Sequence, residues 1–192
     1  MKKILVTVFV IILFAIGYIY ATPYLVMKNI REEVVAQNID GLSQYIDYDS
    51  VRTHLGKQLK TAITAQFVSA PEMQNNPFSD FAMVMIPGLV DRLTEVLISP
   101  EAIGALFKGE NVKKIAEHQP TITPPSAEQS SENNYSGFGA KWNQAKTGYE
   151  SFSWFVVEIP NDEGKVVKFR FRREGLIEWK LNEIVLPFDF LN

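Results

Sequence analysis

The 192-residue sequence has no cysteine and only two histidines. The first absence excludes disulfides, thiolate zinc sites, cysteine nucleophiles and lipid attachment through cysteine. The second leaves little for metal or proton-transfer chemistry, and no cofactor is expected. A large excess of either charge is also lacking: 19 basic and 22 acidic residues give a net charge of −3, which excludes a polycation built to neutralise nucleic acid. There is no phosphate-binding loop, no GxSxG, no HExxH and no calcium-loop pattern. Apolar residues make up 46% of the chain, so it is neither collagenous nor disordered.

The apolar content is uneven. Ile4 to Tyr20 runs without a charge, behind Lys2 and Lys3. As a helix this run spans about 25 Å, and Ala21, Thr22 and the following PYLVM can complete a bilayer crossing of about 30 Å. Tyr18, Tyr20 and Tyr24 gather at its far end, where amphipathic aromatics favour the membrane interface. Two readings compete. One is a cleaved secretory signal ending near Ala21; the other is an uncleaved signal anchor. The position three before that cleavage point would be Ile19, which is not small, so the anchor over residues 1–22 is the expectation. Lys2 and Lys3 place the short tail in the cytoplasm and the bulk of the chain outside the inner membrane. The expected location is therefore a single pass through a bacterial inner membrane by residues 4–22, with a periplasmic body.

Residues 23–116 read as a helical lobe. Pro23 suits a first helical turn, and 23–37 follows with helical spacing. Asn38 and Asp40-Gly41 break it, and Leu42, Tyr45 and Ile46 suggest a short second helix. Asp47 or Asp49 can cap a helix over 50–67, striped by Val51, Leu55, Leu59, Ala62 and Ile63. That role explains the two aspartates better than a catalytic pair, and His54 reads as a packed or half-exposed helix residue. Pro71 and Asn75-Asn76-Pro77 mark a loop. A helix opened by Ser79 should carry Phe81, Val84, Met85, Leu89, Leu93, Val96 and Leu97 on one side, kinked or split at Pro87-Gly88. Met73, Met83 and Met85 read as core gap-fillers. Ser99-Pro100-Glu101 combines a serine cap, a first-turn proline and an acid, and starts a helix that Gly109 ends.

Residues 117–136 lack hydrophobic period and read as a flexible linker, and His118 there is expected to be solvent exposed. Residues 137–192 read as an antiparallel β lobe. Strands are expected at 152–159, 165–172 and 176–186, with a fourth within 139–149 around Trp142 and Tyr149. A three-residue loop 162–164 sets Ile159, Val157 and Phe155 opposite Val167, Phe169 and Phe171. A three-residue loop 173–175 would set Phe171, Phe169 and Val167 opposite Ile177, Trp179 and Leu181, and Arg170 opposite Glu178.

The expected architecture is α+β: an N-terminal membrane helix, then a helical half packed on a C-terminal antiparallel meander of about four strands. Residues 23–192 would form one domain. Two surfaces invite function. Val157, Phe169, Trp179 and Leu181 would line an inner sheet face that could hold a small apolar ligand. Lys168, Arg170, Arg172 and Arg173 form the strongest basic run and could contact an anionic surface, membrane phosphates before nucleic acid. Ordinary cross-strand ion pairs, Glu158 with Lys168 and Arg170 with Glu178, explain the same run.

Several stretches together resemble a bacterial family called domain of unknown function 2939. They are ATPYLVMKNIREEVVAQNIDGLSQYIDYDSVRTHLGKQL, LISPEAIGALF, GYESFSWFVVEI and GLIEWKLNEIVLP. The resemblance covers nearly the whole chain after residue 20. It implies a small envelope protein with no established activity, so no catalytic residues follow from it. The expected role is a non-enzymatic binding or structural module that meets an unknown envelope protein. The alternatives are a small-ligand or lipid-binding domain with a pocket between sheet and helices, and a carboxylate-based hydrolase.

Overall fold

The computed structural model describes residues 2–69, 79–117, 141–161 and 163–187. The expected linker, His118, Met73 and the loop around Pro71 and Pro77 lie outside these residues. The element order is α1 (Lys2–Ala36), α2 (Ile39–Ser43), α3 (Tyr48–Ser69), α4 (Ser79–Leu97), α5 (Pro100–Phe107), α6 (Val112–Glu117), β1 (Lys146–Ser151), β2 (Trp154–Pro160), β3 (Val166–Glu174) and β4 (Glu178–Val185). Helices come first and an antiparallel sheet of order β1-β2-β3-β4 follows, which is the expected α+β arrangement.

The N-terminal helix departs from expectation. The sequence suggests a fresh helix at Pro23, but α1 runs unbroken through it for 35 residues, roughly 52 Å. Proline has no N–H for the Ile19 carbonyl one turn back. The Thr22 hydroxyl donates to that carbonyl instead, at 2.7 Å, so the helix continues without an orphaned acceptor. Residues 4–20 are almost wholly exposed, whereas Thr22, Pro23, Met27, Ile30 and Val34 are buried. One rigid element is thus an apolar rod at one end and a core helix at the other.

The first helix ends at Ala36, so it breaks at Asn38 as expected, although not at Asp40-Gly41. Asn38 caps α2, accepting from the Gly41 N–H at 3.2 Å, and Asp40-Gly41 fall inside that helix. Tyr45 to Asp47 leave the helix and run beside β4. The Leu181 N–H donates to the Tyr45 carbonyl at 2.7 Å, and the Asp47 N–H donates to the Leu181 carbonyl at 2.9 Å. Further along the same edge, the Gln58 amide donates to the Ile184 carbonyl at 2.8 Å and accepts from the Leu186 N–H at 3.3 Å. A bare strand edge would be open to other chains; here α3 and its approach cover it.

The stripe on α3 is as expected, with Val51, Leu55 and Leu59 buried. The broad face expected on α4 is buried only toward the helix end, at Leu97, with Leu93 and Val96 half-buried. The helix continues through Pro87 and turns Ile86, Val90 and Leu97 inward, while Val84, Met85 and Leu89 stay exposed. Apolar residues surround most of this helix, so periodicity alone does not choose a face. Met83 and Met85 are exposed and fill no core gap. The start of α5 follows the sequence signal: Ser99 Oγ accepts from the Ala102 N–H at 3.1 Å, Pro100 opens the helix, and Gly109 closes it with φ +77°. Ser99→Ala should lower stability by about 1 kcal/mol, read as a shift in the denaturant midpoint at unchanged slope.

The β2–β3 hairpin has the expected register: Phe155, Val157 and Ile159 oppose Phe171, Phe169 and Val167. Gly164 takes the left-handed position of its loop, φ +75°. The β3–β4 register differs. Glu174 pairs with Glu178, so the loop is Gly175-Leu176-Ile177, and Phe171 meets Leu181. A bulge then re-phases β4, placing Arg170 opposite Glu183 and Phe169 opposite Ile184. The longer hairpin lets Arg173 pack over Trp179, and the bulge lets Trp179, Leu181, Ile184 and Leu186 all face inward. Strand β1 begins at Lys146, later than expected, and Trp142 precedes it, packing near Phe107.

The inner sheet face is filled. Val157, Phe169, Trp179 and Leu181 are buried among helix side chains, and Phe107 of α5 stacks on Phe169 with centroids 4.1 Å apart. The four residues expected to line a ligand pocket are core residues in one cluster with the helix side chains.

Candidate functional site

The apolar rod meets the folded body at a polar and aromatic junction. Thr22 sits one residue before Pro23, where its hydroxyl already serves the Ile19 carbonyl. The same oxygen accepts from Trp179 Nε1 at 2.9 Å, a bond between two buried residues 157 positions apart. Tyr149 Oη donates to the Tyr20 carbonyl at 3.0 Å. Around these bonds Tyr20 packs on Tyr149 at 5.5 Å, and Tyr24 on Phe155 at 4.9 Å. Tyr149 also meets Phe155 and Trp179 edge-on. Burial, with Tyr24 and Tyr20 close by, pushes the Tyr149 hydroxyl up against the pull of Arg173, so it stays neutral and able to donate.

Arg173 is the centre of this junction. Its guanidinium lies between two rings, 4.4 Å from the centroids of Phe152 and of Trp179. Nε donates to the Phe152 carbonyl at 3.1 Å and Nη1 to the Leu176 carbonyl at 2.8 Å. Nη2 reaches Tyr149 Oη at 3.4 Å. One planar cation thereby ties the β1–β2 turn, the β3–β4 turn and the helix exit together. Only a rigid fork of donors with a stackable face does this, which is why arginine stands here.

The basic run of the sequence does not form one surface. Lys168 pairs with Glu158 at 2.7 Å, which pushes its ammonium up, as expected for the outer face. Arg170 is shared between Glu150 at 2.7 Å and Glu183 at 2.5 Å, not Glu178, and its charge lies 4.7 Å above Trp154. Burial opposes its charge, but the two carboxylates outweigh it and push its pKa up. Arg173 is buried. Lys168 and Arg172 are both exposed at the outer face, Lys168 paired with Glu158 and Arg172 across from Trp154 and Lys180. The run is thus largely consumed by intramolecular contacts.

Asp47 serves the α3 start. It accepts from the Ser50 N–H at 3.2 Å and the Ser50 hydroxyl at 2.6 Å, and Asn182 reaches it at 3.3 Å. Partial burial pushes its carboxyl up, but the Ser50 bonds, the Lys180 charge and Asn182 outweigh this and hold it below the ordinary aspartate value. A lowered folded-state value contributes stability above the unfolded value, lost as pH falls through the folded one. Asp47→Asn should therefore destabilise at neutral pH, and its difference from the parent should shrink below about pH 4, measured by urea unfolding across pH. Asp49 lies in the first turn of the same helix. His54 is half exposed, 4.0 Å from Glu183. Among the described residues, no three His, Asp or Glu side chains are grouped as a metal site would require.

Two clefts lie on the helical side. One of about 900 Å³ is bordered by α4, α5 and α6, with Arg92, Glu95, Glu101, Glu110 and Lys114 around apolar Val96 and Ile115. A smaller one of about 310 Å³ lies between the end of α1 and α5.

The sequence picked Trp179 as inward-facing but not its partners. A buried indole N–H needs an acceptor, and Thr22 is a hydroxyl residue beside the apolar run; that pairing was the available signal. Tyr149 was expected as a strand residue, and its bond to the rod had no sequence signal.

These features define a class: an α+β body built directly onto a helix long and apolar enough to cross a membrane or act as a signal anchor, with mean hydropathy 2.7 over its most apolar stretch. Residues 12–106 match the family model described as protein of unknown function (DUF2939), and over this stretch the chain belongs to that family. The match runs from within α1 into α5 and stops before the sheet, a shorter extent than the sequence resemblance suggested. No curated protein and no solved structure matches the chain.

Proposed function

We propose that the protein is a single-pass, membrane-anchored binding module of the bacterial cell envelope, with an uncleaved N-terminal anchor and a periplasmic body. The observation that carries this reading is the continuity of α1. Cleavage after Ala21 would leave a charged amino terminus on Thr22, which is buried and bonded to Trp179. It would also remove the Tyr20 carbonyl that Tyr149 donates to. A charge buried without a partner is strongly unfavourable, so the fold itself favours retention of the segment.

The role is non-enzymatic binding. Asp47 and Asp49 serve a helix start, which argues against these two as a hydrolase pair. The packed inner sheet moves any recognition away from Val157, Phe169, Trp179 and Leu181 and toward the cleft beside α5. Its mixed charges around an apolar floor suit a segment of another envelope protein. A nucleic-acid partner is disfavoured, because most of the basic run is held in intramolecular contacts and the net charge is −3.

Reporter fusions test the topology. Alkaline phosphatase joined after residue 187 should be active and a fluorescent protein joined there dark; the reverse would place the body in the cytoplasm and end this reading. Photocrosslinkers at Arg92 and Glu101 in the anchored protein should capture one specific partner, whereas labelling no stronger than at Val166 would argue against the cleft.

A further inference from the structure

The end of the sheet nearest the rod carries exposed apolar residues that the core does not explain. Leu176 is 71% exposed and Ile177 48%, both at the tip of the β3–β4 hairpin. Phe152, in the β1–β2 turn at the same end, is 59% exposed. Hairpin tips are usually polar, since apolar groups left in water gain nothing from folding. Arg173 binds the carbonyls of Phe152 and Leu176 and contacts Tyr149, which in turn binds the Tyr20 carbonyl. Three hydrogen bonds, through Arg173 and Tyr149, therefore link each tip to the point where the exposed apolar run ends.

The geometry points to a lipid contact: we infer that Leu176, Ile177 and Phe152 insert into the headgroup boundary of the same bilayer that α1 crosses. This rests on the membrane-anchored reading above. Three observations select lipid as the occupant. First, α1 has no linker between rod and core, so the body cannot stand away from the surface. Second, the exposed apolar run from Ile4 to Tyr20 spans about 25 Å, short of a hydrocarbon layer of about 30 Å, and Thr22, Pro23 and Met27, which could have extended it, are buried in the body, so the shortfall draws the tips toward the acyl boundary. Third, Tyr18, Tyr20 and Tyr24 are about half exposed on the rod at that depth, as aromatic belt residues are. The exposed Arg172 and the flanking Glu174 and Glu178 stay in the wet headgroup layer.

The chain lacks cysteine, so single-cysteine labels report position cleanly. The full chain is reconstituted in phosphatidylglycerol–phosphatidylethanolamine vesicles carrying a shallow lipid nitroxide. Environment-sensitive dyes are placed at Leu176→Cys, at Val166→Cys and at Phe9→Cys. Val166 is exposed at the opposite end of β3, roughly 26 Å away. The expected result is blue-shifted emission at 176 and quenching at least about threefold stronger than at 166, since interfacial side chains lie about 5–10 Å deep. Equal, weak quenching at 176 and 166 with a strongly quenched label at 9 overturns the insertion and leaves the anchor standing. A label at 9 that is not quenched overturns the anchor itself, and the insertion with it.

Discussion

Trp179→Ala should destabilise the body by about 4 kcal/mol, the usual range for removing a large buried aromatic. Its side chain is 2% exposed and has three separate jobs. It fills the sheet face beside Phe155, it offers one of the two ring faces that hold Arg173, and its N–H donates to Thr22. In detergent-solubilised protein the melting temperature should fall by about 10 °C, at roughly 2–4 °C per kcal/mol for a domain of this size. Two milder variants separate the contributions. Trp179→Phe keeps most of the volume and loses the N–H. Thr22→Val leaves the indole N–H buried without an acceptor and frees the Ile19 carbonyl, so it should lose about 1–3 kcal/mol despite its near-equal size. If Thr22→Val were neutral, the bond between rod and sheet would not contribute to the fold.

Arg173→Ala is the second large effect, expected at about 3 kcal/mol. Two charge-assisted bonds to carbonyls are lost, and two ring contacts of about 0.5–1 kcal/mol each go with them. The full value of the bonds is not lost, because the Phe152 and Leu176 carbonyls lie at exposed turns and can be hydrated. Arg173→Lys should recover less than half of the loss, because an ammonium cannot fork to two carbonyls while stacking between rings. Thermal unfolding of the three proteins checks the order. Equal stability of Arg173→Lys and the parent would mean that charge alone matters at this position.

The sheet was legible where alternation was unbroken. In Phe155–Ile159 and again in Val167–Phe171 every second residue is apolar, and only one loop length keeps charges off that face, so register followed from the pattern. It failed at the next turn because Arg173 was placed in the loop rather than in the strand. Buried between two rings, it lengthens β3 and moves the loop to Gly175-Leu176-Ile177. The β4 sequence did carry a sign of the bulge: apolar residues at 179 and 181 resume at 184 and 186, a slip of one that strict alternation forbids.

The rod was legible in composition, and its continuity was not. Pro23 reads locally as a helix start, and only the Thr22 hydroxyl explains why the helix passes through. On α4 the reverse held. The helix itself was plain, but an apolar surface on most sides left the buried face to be chosen by α3, α5 and α6. The junction depended on pairs far apart in sequence, Thr22 with Trp179 and Tyr20 with Tyr149, which no local pattern encodes.

The account depends most on the rod remaining part of the mature protein. Intact mass of the protein recovered from carbonate-washed membranes tests this directly. Retention predicts a membrane-bound chain at the full 21.8 kDa, allowing only for removal of the initiating methionine. A soluble chain beginning at Thr22 would contradict it.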